Sequence, residues 1–409
     1  MSMTEITNNI REELAELQKF TATPGSGVTR FPFTEEARKA CAYLQQLMEE
    51  AGLTVRLDNS GALIGRLEGE TPATIMMGSH FDSVGHGGAY DGIAGVVCAI
   101  EVARLLKKSG KKPHYSLEVI ATNDEEGARF HVGLFTGKVL LGQVSVEALQ
   151  KQVDADGISV YEAMAAYGLK PEEIAEHQRK DIKAFLEVHI EQGPVLEAAE
   201  KQIGIVDVIV GIKRVSVRIN GRADHVGTMP MHMRKDALEQ AAKVISKIGD
   251  RARCFPNTVA TVGYLQVEPN IINIVPQTVT FTVDIRGVDK AAITSQYQGL
   301  VEDLEQMQAA SGLTYDVETL LDAEPVVMDA HIKELFAASC AARNLTHMHL
   351  PSGAGHDAQI FGEQLPAAML FVPSIGGRSH CPEEESRAED LAAAVLVASD
   401  AVQALLEGK

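Results

Sequence analysis

Apolar and polar positions change period several times along the chain, and each change predicts an element. Residues 4–20 carry Ile10, Leu14 and Leu17 at helical spacing. A Gly/Pro loop over 21–33 follows. Thr34 is then placed to cap a second helix, with Glu35 and Glu36 in its first turn, Cys41, Leu44 and Met48 on one face, and a stop at Gly52. Residues 54–57 and 62–67 read as strands joined through Asn59-Ser60-Gly61. The apolar runs 74–77, 115–121, 185–190 and 367–372 do not alternate, so they predict buried strands, and 93–106 predicts an amphipathic helix between the first two. Strand–helix–strand order implies a parallel or mixed sheet. Residues 144–180 are polar and helical in pattern, with Pro171 at a helix start, and predict a surface insertion. From Gly211 the pattern changes: strand 212–220, helix 233–248, strands 259–267 and 278–286, helix 290–310 and strand 313–317. That β-α-β-β-α-β order is the ferredoxin-like split unit. Helix 330–343, a loop over 351–357, strand 367–372 and helix 387–406 complete the chain. The fold class expected is therefore α/β, a large mixed-sheet domain over 1–210 and 323–409 with an inserted ferredoxin-like α+β domain over 211–322.

The ends of the buried strands carry the chemistry. After 74–77 comes Gly78-Ser79-His80-Phe81-Asp82, with His86 and Asp91 following among Gly85, Gly87, Gly88 and Gly92. This is the carboxyl edge of a strand, where open α/β sheets place their sites. After 115–121 comes Asn123-Asp124-Glu125-Glu126-Gly127. Adjacent carboxylates behind a buried strand repel each other and lose solvation, and a cation is the obvious compensator. Strand 185–190 carries His189 and leads into Glu191-Gln192-Gly193-Pro194, and Gly376-Gly377-Arg378-Ser379-His380 follows 367–372. His, Asp, Glu, His and His from four strand ends form a mixed nitrogen and oxygen set. That set suits two borderline divalent ions better than one structural zinc.

Composition narrows the partners. The 409 residues are 45% hydrophobic and 23% charged, as a soluble globular protein of two domains would be. Fifty-six acidic residues against 37 basic give a net charge of −19, which argues against nucleic acid and anionic membranes as partners. No apolar run approaches the roughly 20 residues of a membrane span, and the N-terminus lacks the apolar core of a signal peptide. Cys41, Cys98, Cys254, Cys340 and Cys381 are scattered without CxxC spacing, which predicts reduced thiols and a cytoplasmic location. Cys41 and Cys98 lie on apolar helix faces, whereas Cys381 follows His380 and is expected to neighbour the metals without binding them.

The stretches HFDSV with GG and DG beyond it, NDEEGARF, EVHIEQGP, DHVGTMPM, NIVP and GGRSH together resemble the binuclear metallo-amidohydrolases that cleave ureido compounds. These are the N-carbamoyl-L-amino-acid hydrolases, allantoate amidohydrolases and β-ureidopropionases, allied to the co-catalytic zinc peptidases and aminoacylases. The resemblance runs from Gly27-Val28-Thr29-Arg30 to His380, and HIEQGP is its most specific piece. It implies a metallopeptidase-like catalytic domain and an inserted domain acting as lid and dimerisation surface. It implies two divalent ions per subunit (zinc, manganese, cobalt or nickel), bridged by Asp91, with His80 and His189 on one and Glu126 and His380 on the other. Asp82 would accept a hydrogen bond from the His80 imidazole, and Glu125 would be the general base. His225 would donate to the oxyanion; Asn273 and Arg286 would bind the substrate carboxylate and its neighbours. Gln192 and Arg214 are further candidates for the ureido group and carboxylate, and the loop around Gly355 for backbone amide contacts. His86 and His131 are read as structural. The implied activity is hydrolysis of an N-carbamoyl-L-amino acid by a homodimer. Gly127-Ala128-Arg129-Phe130 leans that way, because allantoate enzymes more often show GSRF there. Allantoate hydrolysis is the alternative, ahead of an aminoacylase or dipeptidase. A non-catalytic binding protein on this scaffold would have lost Glu125 or a ligand, and both are present.

Overall fold

A computed structural model describes residues 1–108, 110 and 112–408. They divide into two compact units, Met1–Asp207 with Val327–Leu350 and Gly355–Lys409, and Val208–Val326 with Pro351–Ala354.

The first unit is built on a mixed sheet. Four strands at its centre are parallel, in the order Ser116–Thr122, Thr74–His80, Ile182–Ile190, Ala367–Val372. Thr74–His80 and Ser116–Thr122 are buried at every residue, which is why these runs read as continuous rather than alternating. The hairpin Thr54–Leu57 and Leu63–Leu67 adds antiparallel strands at one end. Ile203–Ile209 pairs antiparallel with Ala367–Val372 at the other. Gly78 allows the tightest approach: a Cβ there would sit 1.8 Å from the carbonyl oxygen of Ile120 on the neighbouring strand. Helices Met3–Leu17, Ile93–Lys108 and Ala388–Leu406 bury their apolar residues in one core with this sheet. Thr34 caps Glu35–Glu50 by accepting the amide of Ala37. Cys41, Cys98 and Cys340 are buried thiols.

Several elements differ from the pattern-based reading. The polar stretch 144–180 is an insertion, but it has a core of its own. Val146–Lys151, Val160–Tyr167 and Pro171–His177 pack Leu149, Val160, Met164, Tyr167 and Ile174 against Phe33, Phe130 and Phe135. Strands Ile203–Ile209 and His347–Ser352, which the pattern did not predict, pair with each other. The segment expected as one strand over 259–267 is two, Thr258–Thr261 and Leu265–Glu268, interrupted around Gly263.

The second unit is a five-stranded antiparallel sheet in the order Thr314–Ala323, Gly211–Asn220, Thr278–Gly287, Thr258–Thr261, with Leu265–Glu268 also on Thr278–Gly287. This is the ferredoxin-like strand order. Ala237–Ala252 and Lys290–Ser311 cover one face, burying Val244, Ile248, Leu300 and Leu304 against Val215, Val217, Phe281 and Val283. Pro351–Ala354, expected as part of a loop of the large unit, belongs here: Val210 donates its amide to Ser352 O at 3.0 Å.

Candidate metal centre

Because the four central strands run parallel, their carboxyl ends share one edge. His80 is the last residue of its strand and is 1% exposed. His189 is the penultimate residue of Ile182–Ile190 and equally buried. Asp91 lies in the loop before helix Ile93–Lys108. That loop turns at Gly92, whose φ is +64° and where a Cβ would meet the His80 ring at 2.4 Å. Glu125 and Glu126 follow Ser116–Thr122, and His380 follows Ala367–Val372.

Asp91 stands at the centre of these groups. Its Oδ1 is 3.2 Å from His189 Nε2 and 3.7 Å from His80 Nε2, while its Oδ2 is 3.1 Å from His380 Nε2. His380 Nε2 is also 3.3 Å from Glu126 Oε1. Of four groups of ligand-type side chains that could hold an ion among the described residues, two share Asp91: His80–Asp91–His189 and Asp91–Glu126–His380. Glu125 lies beside them, its Oε2 3.9 Å from His80 Nε2. Among the described residues, Asp91 Oδ1 and Glu126 Oε1 are buried and accept no hydrogen bond, although histidine nitrogens lie within 3.3 Å. Buried carboxylate oxygens need a partner, and ring nitrogens that approach without donating are arranged as a divalent cation would arrange them. The donor set therefore fits such ions.

Electrostatics point the same way. Burial pushes the Asp91 carboxyl up, but His189, His380 and His80 outweigh it and hold it well below the usual carboxylate range. Burial pushes Glu125 well above its ordinary value against the pull of His80, and Glu126, Asp357 and Asp82 add to the rise. The crowding of Glu125, Glu126, Asp82 and Asp357 is a concentration of buried carboxyls that a cation would relieve.

The remaining expected residues fall in several places. Asp82 is fully buried beside His80, but its role differs from that expected. His80 Nδ1 contacts the Asp82 backbone carbonyl at 3.1 Å, and the Asp82 carboxylate is 3.7 Å from the ring. The carboxylate instead accepts the amides of Glu125 and Glu126, at 3.1 and 3.2 Å. Gln192, at φ +57°, donates from Nε2 to Asp91 Oδ2 and Ser379 Oγ, both at 3.1 Å, so it holds the centre rather than presenting a free amide. In the second unit His225 is exposed and bridged to Ile274, and Val226 donates to Asn273 O at 3.3 Å, so His225 and Asn273 share one pair of loops. Arg214 and Arg286 both pair with Asp284, at 2.6 and 2.9 Å, and Arg286 donates to Gly353 O at 2.9 Å. Gly355 precedes the buried pair His356 and Asp357. His86 is tied to Ser26 through Nδ1, and His131 takes φ +60° in the loop after Glu126.

The pattern-based reading passed over several residues. Glu187 accepts from Ser79 Oγ at 2.6 Å and from the amide of Ala358 at 2.8 Å, locking the His80 and His189 strands together. His356 packs its ring 4.4 Å from that of His189, and Asp357 accepts from Thr122. Arg30 is buried and donates to the carbonyl oxygens of Phe81, Leu17 and Phe20. A charged residue inside a buried strand, such as Glu187 two positions before His189, was the available signal.

The sequence pattern of Peptidase family M20/M25/M40 matches residues 76–404. An N-carbamoyl-L-amino-acid amidohydrolase of Paenarthrobacter aurescens is 41% identical over 93% of this chain and 94% of its own length. The allantoate amidohydrolase of Escherichia coli K12 is 36% identical over 96% of each. A crystal structure of an amidase of the hydantoinase/carbamoylase family from Burkholderia multivorans superposes with a TM-score of 0.90, at 31% identity over 98% of both chains. Among the described residues, no helix is long and apolar enough to cross a membrane. With the family pattern spanning most of the chain and amidohydrolases matching it end to end, the chain belongs to Peptidase family M20/M25/M40 and is a hydrolase of carbon–nitrogen bonds.

Proposed function

We propose that the protein cleaves the carbamoyl C–N bond of an N-carbamoyl-L-amino acid, with two divalent ions per subunit. The observation that carries this reading is the placement of Asp91, whose two carboxylate oxygens face different histidines. The relatives' names supply the substrate class, three of those with 38–41% identity being N-carbamoyl-L-amino-acid amidohydrolases. His80, His189 and Asp91 would hold one ion, and Asp91, Glu126 and His380 the other. Such ions, when bound, polarise a carbonyl and lower the pKa of water. Glu125 takes a proton from the attacking water as its oxygen adds to the ureido carbon. It passes that proton to the amino nitrogen as the C–N bond breaks. The products are the amino acid and carbamic acid, which falls to carbon dioxide and ammonia. Asp82 holds the Glu125–Glu126 backbone in place throughout. His225 supplies a hydrogen bond to the developing oxyanion, Asn273 and Arg286 bind the substrate carboxylate, and the second unit forms the contact of a homodimer.

Allantoate is the second reading, supported by the 36% identity to the Escherichia coli enzyme. Ammonia release from a panel of N-carbamoyl-L-amino acids, allantoate and N-acetyl amino acids, after metal reconstitution, decides between them. Turnover confined to N-acetyl amino acids would refute both.

A further inference from the structure

Glu384 is outside the five ligand-type residues, yet it touches the segments that carry two of them. It is 4% exposed. Its Oε1 accepts the amides of Tyr90 and Asp91, at 3.0 and 2.9 Å. Its Oε2 accepts the Ser379 hydroxyl at 2.6 Å and the His380 amide at 3.2 Å. Four donors converge on the two oxygens, and only an ionised carboxylate meets that demand, because an amide side chain would turn one end into a donor. The network closes on itself. Ser379 Oγ also accepts from Gln192 Nε2, which reaches Asp91 Oδ2.

Two further observations single out this contact. His380 has φ +55°, a left-handed conformation that a histidine keeps only where its surroundings impose it. The loop before Asp91 passes so close that a Cβ on Gly88 would lie 2.0 Å from Glu384 Oε1. The approach therefore requires glycine there.

We propose that Glu384 is a positioning residue of the metal centre, a clamp that fixes Asp91 and His380 relative to each other so that the Asp91–Glu126–His380 group can close on its ion. The proposal rests on the reading of these three residues as ligands. Glu384 itself touches neither ion nor substrate. Residues that orient metal ligands from behind typically change metal affinity by 10–100-fold when replaced. Glu384→Gln keeps the shape and removes one acceptor oxygen; Gly88→Ala displaces the carboxylate without altering it.

The test is zinc occupancy, read apart from activity. Chelator-stripped full-length protein is equilibrated against a series of chelator-buffered free zinc concentrations, and bound zinc is counted by mass spectrometry, with far-ultraviolet circular dichroism as the check on folding. The wild type is expected to take two equivalents and His380→Ala one. Glu384→Gln and Gly88→Ala are expected to take the first equivalent as the wild type does and to need 10–100-fold more free zinc for the second. Glu384→Asp, which keeps both acceptor oxygens, should recover part of that loss. If Glu384→Gln does not fold, Gly88→Ala carries the same comparison. Two equivalents at wild-type zinc in the folded Glu384 and Gly88 variants, with His380→Ala still losing one, would overturn the clamp and leave the ligand reading standing. Two equivalents in His380→Ala and Asp91→Asn as well would overturn the ligand reading, and the clamp with it.

Discussion

The sharpest consequence of the site's geometry concerns Asp82, whose carboxylate holds the backbone of the two glutamates rather than the imidazole beside it. Asp82→Asn is nearly isosteric, so it opens no cavity in a site where the side chain is fully buried. An amide offers one acceptor oxygen where the carboxylate offers two. One of the two amide bonds, at 3.1 Å from Glu125 or 3.2 Å from Glu126, must therefore be lost, with its N–H left facing an NH2 group. A hydrogen bond to a charged acceptor contributes about 1.5–3 kcal/mol, and a buried unsatisfied N–H costs about 1–3 kcal/mol. Removing the buried charge of Asp82 returns part of this. Burial already disfavours that charge, lifting the carboxyl above its ordinary pKa despite His80 and the amides of Glu125 and Glu126. The buried Arg30 guanidinium nearby then loses its neighbouring anion, which adds to the cost.

The net expectation is a loss of about 3 kcal/mol, which for a unit of this size lowers the melting temperature by roughly 6 °C. Asp82→Ala, which removes both acceptors, should cost more. Scanning calorimetry on chelator-stripped protein reads this directly, since no ion then holds the loop. A metal-free Asp82→Asn that melts within about 1 °C of the wild type would mean that the carboxylate does not hold the Glu125–Glu126 loop.

Glu125→Gln should lower kcat by roughly 10²–10⁴-fold, the usual contribution of a positioned base, with zinc content unchanged; near wild-type kcat would remove Glu125 from that role. His225→Ala should lower kcat by about 10²–10³-fold with little change in KM, as loss of an oxyanion donor does. A pure KM effect would make it a ground-state contact. Stripping the metals should destabilise the protein by about 4 kcal/mol for each ion present at a thousandfold excess over its Kd, and a melting curve indifferent to chelator would contradict a resident cation. The last prediction concerns pH. Burial raises Glu13 to about 7, against the pull of Arg104 and with a push from Glu101. A raised acid binds its proton more tightly in the folded chain, so the wild type loses stability relative to Glu13→Gln as pH rises from about 4.3 through about 7. Urea midpoints at pH 5 and 8 check the sign, and a wild-type midpoint that rises relative to that of Glu13→Gln between the two would refute it.

The sequence exposed the candidate ligands because they sit where a continuous apolar run stops and a glycine-rich stretch starts, and that is a local signal. His80, Glu126, His189 and His380 were legible for this reason, and so were the central strands that carry them. The supports behind them were not. Glu384 is the second of three adjacent glutamates, and only the fold brings it to residues almost 300 positions earlier. The link from Gln192 to Asp91 was hidden for the same reason, since the two are 101 residues apart. The pairing of Arg214 with Asp284 depends on sheet register, which places the two directly opposite each other. The break at Gly263 was visible as a glycine, but alternating apolar residues on both sides concealed it.

The position of Ala367–Val372 bears on how the chain is made. This strand lies between Ile182–Ile190 and Ile203–Ile209, which are close in sequence yet do not pair with each other. As the chain leaves the ribosome, these two strands emerge within moments of each other, but the strand that joins them comes roughly 160 residues later, a wait on the order of 10–30 s at ordinary rates of synthesis. Until then the nascent chain carries two open strand edges flanking a vacant slot, the arrangement most prone to pairing with a neighbouring chain. His380 emerges later still, eight residues beyond Val372. A fragment ending before the slot is filled can hold the candidate ligands from His80 to His189 and no more, so only a nearly complete chain can bring His380 to the proposed second ion group.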